Sequence, residues 1–135
     1  MRVLIVEDDF TSSQLMQTLI SRYGSYDTSI NGYEAIELLK IAFDEGKRYD
    51  LICLDINMPE MNGQEALKRM REIETSYGIK GSDRAKIVMT TVYSDYENVS
   101  NAFEEKCDAY LVKPIEIDKF YKVLKSLNLI KGRNI

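Results

Sequence analysis

Leu51-Ile52-Cys53-Leu54-Asp55 is a four-residue apolar run that stops at an acid. Apolar side chains at every position, rather than at every second one, suit a strand buried on both faces, as in a parallel sheet. The same pattern recurs three times. Val3-Leu4-Ile5-Val6 ends at Glu7-Asp8-Asp9, Ile87-Val88-Met89 ends at Thr90-Thr91, and Ala109-Tyr110-Leu111-Val112 ends at Lys113-Pro114. A weaker strand is expected over Tyr26 to Ile30.

Helical stripes separate the strands. Leu15, Met16, Leu19, Ile20 and Tyr23 form one, and Ala35, Ile36, Leu39, Ala42 and Phe43 a second. Ala66, Leu67, Met70, Ile73 and Tyr77 form a third, Val99, Ala102 and Phe103 a shorter fourth, and Ile117, Phe120, Tyr121, Leu124 and Leu127 the last. Spacings of three and four place each set on one helical face. Ser94-Asp95-Tyr96-Glu97 has the spacing of a capping box and is expected to start the fourth helix. Five strand–helix alternations predict an α/β fold, an open, doubly wound parallel sheet of five strands with five helices on its two faces. One domain is expected over residues 1–130, with 131–135 as a frayed tail. The Gly78–Arg84 stretch reads as a loop.

Composition narrows the chemistry. A net charge of −4 in 135 residues argues against a dedicated nucleic-acid binder, which needs a basic face. Histidine is absent, which removes imidazole bases, Ser-His triads and histidine metal ligands together. The two cysteines, Cys53 and Cys107, have neither disulfide nor metal spacing and suggest a reducing compartment. With no signal-peptide pattern and no bilayer-length apolar stretch, a cytoplasmic location without a membrane role is expected.

The strand ends carry the chemistry. In a parallel α/β sheet the carboxyl ends of all strands lie on one edge, where ligands bind. Asp8, Asp9, Asp55, Thr91 and Lys113 should therefore converge. Three carboxylates in close range repel one another, and uncompensated, at least one would stay protonated. Lys113 supplies one positive charge, and a lysine placed directly after a buried strand needs a partner. A hard divalent cation would supply two more, and carboxylate oxygens suit Mg²⁺. A metal, an ammonium and an attacking carboxylate are the parts that phosphoryl transfer requires.

The segments VLIVEDD at 3–9, LICLDINMPEMNG at 51–63, KIVMTT at 86–91 and DAYLVKP at 108–114, in this order and spacing, resemble the receiver domain of two-component response regulators. The resemblance covers residues 1–128 or so. It implies a flavodoxin-like strand order 2-1-3-4-5, with Asp55 as phosphoacceptor. It also implies that Asp9 ligates Mg²⁺ (or Mn²⁺) directly, that Asp8 does so directly or through water, and that Asp55 and the backbone carbonyl of Asn57 complete the protein's share of the shell. Lys113 would pair with Asp55 and then with the phosphoryl oxygens, Thr91 would offer its hydroxyl, and Tyr110 would change rotamer as Thr91 moves. Thr90 competes with Thr91, but the 22-position spacing from Thr91 to Lys113 fits the family. The Lys113-Pro114 bond is expected to be cis. The loop Met58 to Gly63 would shape the site rather than react.

The implied function is a phosphorylation-dependent switch rather than an enzyme. A sensor histidine kinase or phosphotransfer protein would donate the phosphoryl group. The chain would catalyse its own phosphorylation, dephosphorylate slowly, and signal through a downstream target protein, with a phosphorylation-linked homodimer as one route. About 130 residues of receiver would leave no room for a DNA-binding output domain, so output is expected to go through a partner, or else the chain is a fragment cut from a larger regulator. Three other readings fit less well. Phosphatases of the haloacid dehalogenase type place their nucleophile after the first strand with an acid two positions on, where this chain has Asn57 after the third strand. Flavodoxin-like binders need a phosphate loop after the first strand, where this chain has Glu-Asp-Asp. A phosphorylation-independent adaptor would not need the intact residue set. Three departures from the family pattern stand out. Val92 and Tyr93 follow Thr91 where alanine is usual first, which predicts slowed attack by water. Lys106-Cys107 replaces the usual Gly-Ala before the fifth strand, and the Gly78–Arg84 loop is longer than in minimal receivers.

Overall fold

The computed structural model describes residues 1–92 and 107–131. Five strands are present: β1 (Arg2–Val6), β2 (Ser25–Ser29), β3 (Leu51–Asp55), β4 (Lys86–Thr91) and β5 (Ala109–Val112). Among the described residues the α-helices are α1 (Phe10–Ile20), α2 (Gly32–Asp44), α3 (Gly63–Ser76) and α4 (Ile117–Ser126), with a 3₁₀ turn at Gly81–Asp83. All strand pairs are parallel, and the order is β2-β1-β3-β4-β5. The helix expected from Ser94 through Phe103, together with Tyr93, Lys106 and residues 132–135, lies outside the described residues.

The continuous apolar runs are explained by two cores, one on each face of the sheet. Leu4, Val6, Ile52, Leu54, Ile87 and Met89 point toward α2 and α3 and pack on Ala35, Leu39, Leu67 and Met70. Val3, Ile5, Leu51, Cys53 and Val88 point toward α1 and α4 and pack on Leu19, Ile20, Phe120 and Leu124. Alternate residues of one strand thus serve opposite cores, and each fully buried aliphatic side chain contributes about 1.5–3 kcal/mol. Cys53 belongs to this packing, and burial pushes its thiol up to about 12. Cys107 is also a buried, free thiol.

The outer members of three stripes lie outside the core. Leu15, Tyr77 and Ile117 are 39 %, 41 % and 45 % exposed. The reason is geometric, because a helix packed on a sheet buries a narrower arc than its apolar stripe covers. The second strand also ends one residue earlier than its sequence suggests. Ile30 is exposed, and Asn31 is already the N-cap of α2, accepting from the N–H of Glu34 at 2.8 Å.

α3 is braced at its far end by a buried ion network. Arg71 donates to Glu74 and to the carbonyl of Ala85, both at 2.8 Å, and to Asp108 at 2.9 Å. Glu74 accepts from the N–H of Ala85, and Asp108 from that of Ile87. These bonds tie α3 to the starts of β4 and β5.

Candidate functional site

The carboxyl edge of the sheet gathers side chains from three strand ends. Asp55 closes β3 with only 3 % of its surface exposed. Glu7 follows β1 and is 5 % exposed, while Asp8 and Asp9 are exposed. Carboxylate oxygens of Glu7, Asp8 and Asp55 lie within 4.8 Å of one another. Lys113, directly after β5, donates to Glu7 Oε1 at 2.5 Å and sits 3.4 Å from Asp55 Oδ1. The Lys113-Pro114 peptide is cis, as expected.

Glu7 corrects the sequence expectation, which placed Asp9 in this cluster. Strand parity gives the reason. Val3 pairs with Leu51 and Ile5 with Cys53, so the next side chains on that face are Glu7 and Asp55. The N–H of Glu7 still bonds to Ser29, so the extended path runs past Val6. Asp9 has another task. It is the N-cap of α1, and its carboxylate accepts from the N–H of Ser12 at 2.8 Å. That backbone hydrogen bond, foremost, holds the Asp9 carboxyl below its usual range. Period-two alternation carried one step beyond the apolar run would have found Glu7.

The remaining residues fall close by. The Asn57 N–H donates to Asp55 Oδ1 at 3.2 Å, and its side-chain amide lies 3.5 Å from Thr91 Oγ1. Thr91 is fully buried. Thr90 is the register partner of Asp55 and lines a cavity of about 330 Å³ with Glu7, Leu15, Val92, Lys113 and Pro114. Both threonines therefore stand at the site, Thr90 on the cavity side and Thr91 against Asn57. Tyr110 is half-buried on β5 and packs against the α2–α3 core.

The electrostatics follow from this crowding. Burial, then a hydrogen bond with Glu7 and repulsion from it, push Asp55 up to about 7 against the pull of Lys113 and the Asn57 N–H. Burial works against the charge on Lys113, but its hydrogen bond to Glu7 and the charges of Asp55 and Glu7 outweigh it, so its ammonium is held above the ordinary range. Two buried carboxylates facing one ammonium leave an excess of negative charge. The donor set is all oxygen, which fits a hard divalent cation.

This fold and this edge define a class. The family model for the response regulator receiver domain matches residues 3–125, and the chain belongs to that family. It is 33 % identical over 126 residues to two-component response regulator 24 of Arabidopsis thaliana, covering 93 % of this chain and 82 % of that protein. It is 28 % identical over 144 residues to the probable histidine kinase 2 of Oryza sativa, covering 99 % of this chain but only 13 % of that protein's length. The receiver domain of the histidine kinase CKI1 from Arabidopsis thaliana, complexed with Mg²⁺ and BeF₃⁻, superposes with a TM-score of 0.82 at 26 % identity. That match covers 96 % of this chain and 90 % of the other. The Vibrio cholerae chemotaxis protein CheY4 gives a TM-score of 0.78 at 27 % identity, covering 93 % and 97 %. No helix among the described residues is long and apolar enough to cross a membrane.

Proposed function

We propose that this chain is a phosphorylation-dependent switch in which Asp55 accepts a phosphoryl group. The observation that carries the reading is a buried carboxylate at the end of the central strand, flanked by two further acids and a lysine. Glu7, Asp8 and Asp55 would hold Mg²⁺ or Mn²⁺, with the Asn57 carbonyl as a further ligand. The cation would neutralise the oxygens of the transferring group.

The protein's own groups account for the rest. A carboxylate oxygen of Asp55 attacks phosphorus in line. The new bond is an acyl phosphate, and the bond to the donor nitrogen breaks, its electron pair staying with the donor's imidazole. Lys113 pairs with a phosphoryl oxygen as charge moves off Asp55. Thr91 offers its hydroxyl, and Tyr110 follows it. The donor would be a histidine kinase or phosphotransfer protein, and a downstream protein or a second copy would read the new surface. Self-catalysed uptake and slow loss of the group belong to the same reading, as does a cytoplasmic place.

Incubation with Mg²⁺ and acetyl phosphate, followed by intact-mass measurement, tests this. One added phosphoryl group is expected, retained in Asp27→Ala and absent in Asp55→Ala. An adduct that survives Asp55→Ala would overturn the assignment. No adduct under any condition would favour an adaptor that works unphosphorylated.

A further inference from the structure

The amino edge of the sheet, at the far end of the strands from Asp55, carries cations that phosphoryl transfer does not use. Arg2 opens β1, Lys47 and Arg48 lie in the loop before β3, and Lys86 opens β4. Arg2, Lys47 and Arg48 line one groove of about 480 Å³ with Ser25, Tyr26 and Asp27. Three cations against one carboxylate leave the groove two charges positive, in a chain whose net charge is −4.

The fold answers these charges only in part. The Arg2 guanidinium lies over the Tyr49 ring, 4.7 Å from its centroid, and its Nη2 reaches Asp27 Oδ2 at 3.4 Å. That oxygen is shared, because the Tyr49 hydroxyl donates to it at 2.7 Å. Arg2 Nη1 is buried with no acceptor among the described residues, and a buried donor left so is rare and costly. The side chain as a whole is 32 % exposed, so its charge opens onto the groove. Lys47 pairs with Glu45 at 3.5 Å and Arg48 with Asp83 at 2.6 Å, all four side chains being at least half exposed. Such pairs are worth little and leave both cations able to turn. The end of α2 would account for one cation through its carbonyl groups, but not for three around one groove.

We propose that this groove binds a small multivalent oxyanion, of the pyrophosphate or phosphate-ester class. Arg2, fixed by Tyr49 and Asp27, supplies a planar fork that matches two oxygens of one phosphoryl group. Lys47 and Arg48 turn in from the loop and complete the charge. The charge balance selects the class, because a monoanion would leave half of the groove's excess unanswered. The site is separate from the acidic edge and does not depend on Asp55 being the acceptor.

Calorimetric titration with sodium pyrophosphate, in buffer stripped of divalent ions, tests the site without any phosphoryl transfer. One-to-one binding is expected. Lys47→Gln and Arg48→Gln change exposed side chains and should leave the fold intact, yet each should weaken binding about fivefold, the loss of one charge-assisted contact. Arg2→Lys keeps the charge but not the fork and should weaken it by a similar factor. Lys86→Gln removes the same charge from the same edge but outside the groove, and should change affinity by less than about twofold. An equal loss in Lys86→Gln would reduce the effect to the general field of the edge and overturn the site. Absence of binding, or unchanged affinity in both Lys47→Gln and Arg48→Gln, would overturn it as well. A loss in Lys113→Gln alone would place the anion at the acidic edge instead. ADP held more tightly than pyrophosphate would assign the groove to a phosphate ester, and the reverse to the free anion, either result supporting the site.

Discussion

A Cβ placed on Gly63 would lie 2.3 Å from the carbonyl oxygen of Asp55 and 2.7 Å from the Cα of Ile56. The N–H of Gly63 bonds to Ile56 at 2.8 Å, so the first residue of α3 is seated on the chain that leaves the acceptor. Gly63→Ala should force that backbone apart. An overpacking cost of about 1–3 kcal/mol is expected in denaturant unfolding, with slower phosphoryl uptake from acetyl phosphate. Gly46→Ala is the control. It sits at φ 72° with nothing within 4 Å of the added carbon, so it should cost about 1 kcal/mol and leave uptake unchanged.

Asp55 should make the metal-free protein less stable as pH rises. Below about pH 4 its carboxyl is protonated in both folded and unfolded chains. On raising the pH, the unfolded carboxyl ionises first, near 3.8, while the folded one keeps its proton to about 7. The folded chain therefore binds more protons across that window, and this contribution to stability falls from pH 4 to pH 7 and then levels off. Asp55→Asn should flatten the slope when melting is followed in EDTA. At pH 8 it should raise the melting temperature by roughly 3 °C or more, the shift that about 1 kcal/mol produces in a domain of this size.

Val92 is 61 % exposed and lines the cavity that Glu7 and Lys113 floor. Its two methyl groups are expected to hinder water approaching the phosphoryl group on Asp55. Val92→Ala should shorten the life of the phosphorylated protein about threefold, a change of under 1 kcal/mol in the barrier. The rate of phosphate release after removal of the donor measures this, and an unchanged rate would refute it.

The Arg71 network should carry stability rather than activity. Arg71→Met leaves Glu74, which is 1 % exposed, without its cation. Removing one partner of a buried pair costs about 3–5 kcal/mol, so a marked loss in urea unfolding is expected. Phosphoryl uptake by the folded fraction should persist, since the network lies at the opposite end of the strands from Asp55.

Four strands were legible because burial on both faces leaves apolar residues at every position, whereas the order of the sheet followed only from the family resemblance. β2 was less so: as an edge strand reading Ser-Tyr-Asp-Thr-Ser it buries only Ser29, and its polar residues hide its limits. Asp55 and Lys113 were legible because charges rarely follow buried strands without cause. Glu7 was not, because neighbouring acids at a strand end look alike in composition, and only the parity of the side chains separates them. The Arg71–Glu74–Asp108 network was not legible either, since charges on a helix read as a solvated face until a neighbouring strand covers them.

α3 is held at both extremities, by Gly63 against the acceptor's own backbone and by Arg71 and Glu74 against the start of β4. It behaves as a strut rather than a lever. A disturbance at Asp55 would then find little slack along α3, which leaves Thr91 and Lys113, at the neighbouring strand ends, to answer it.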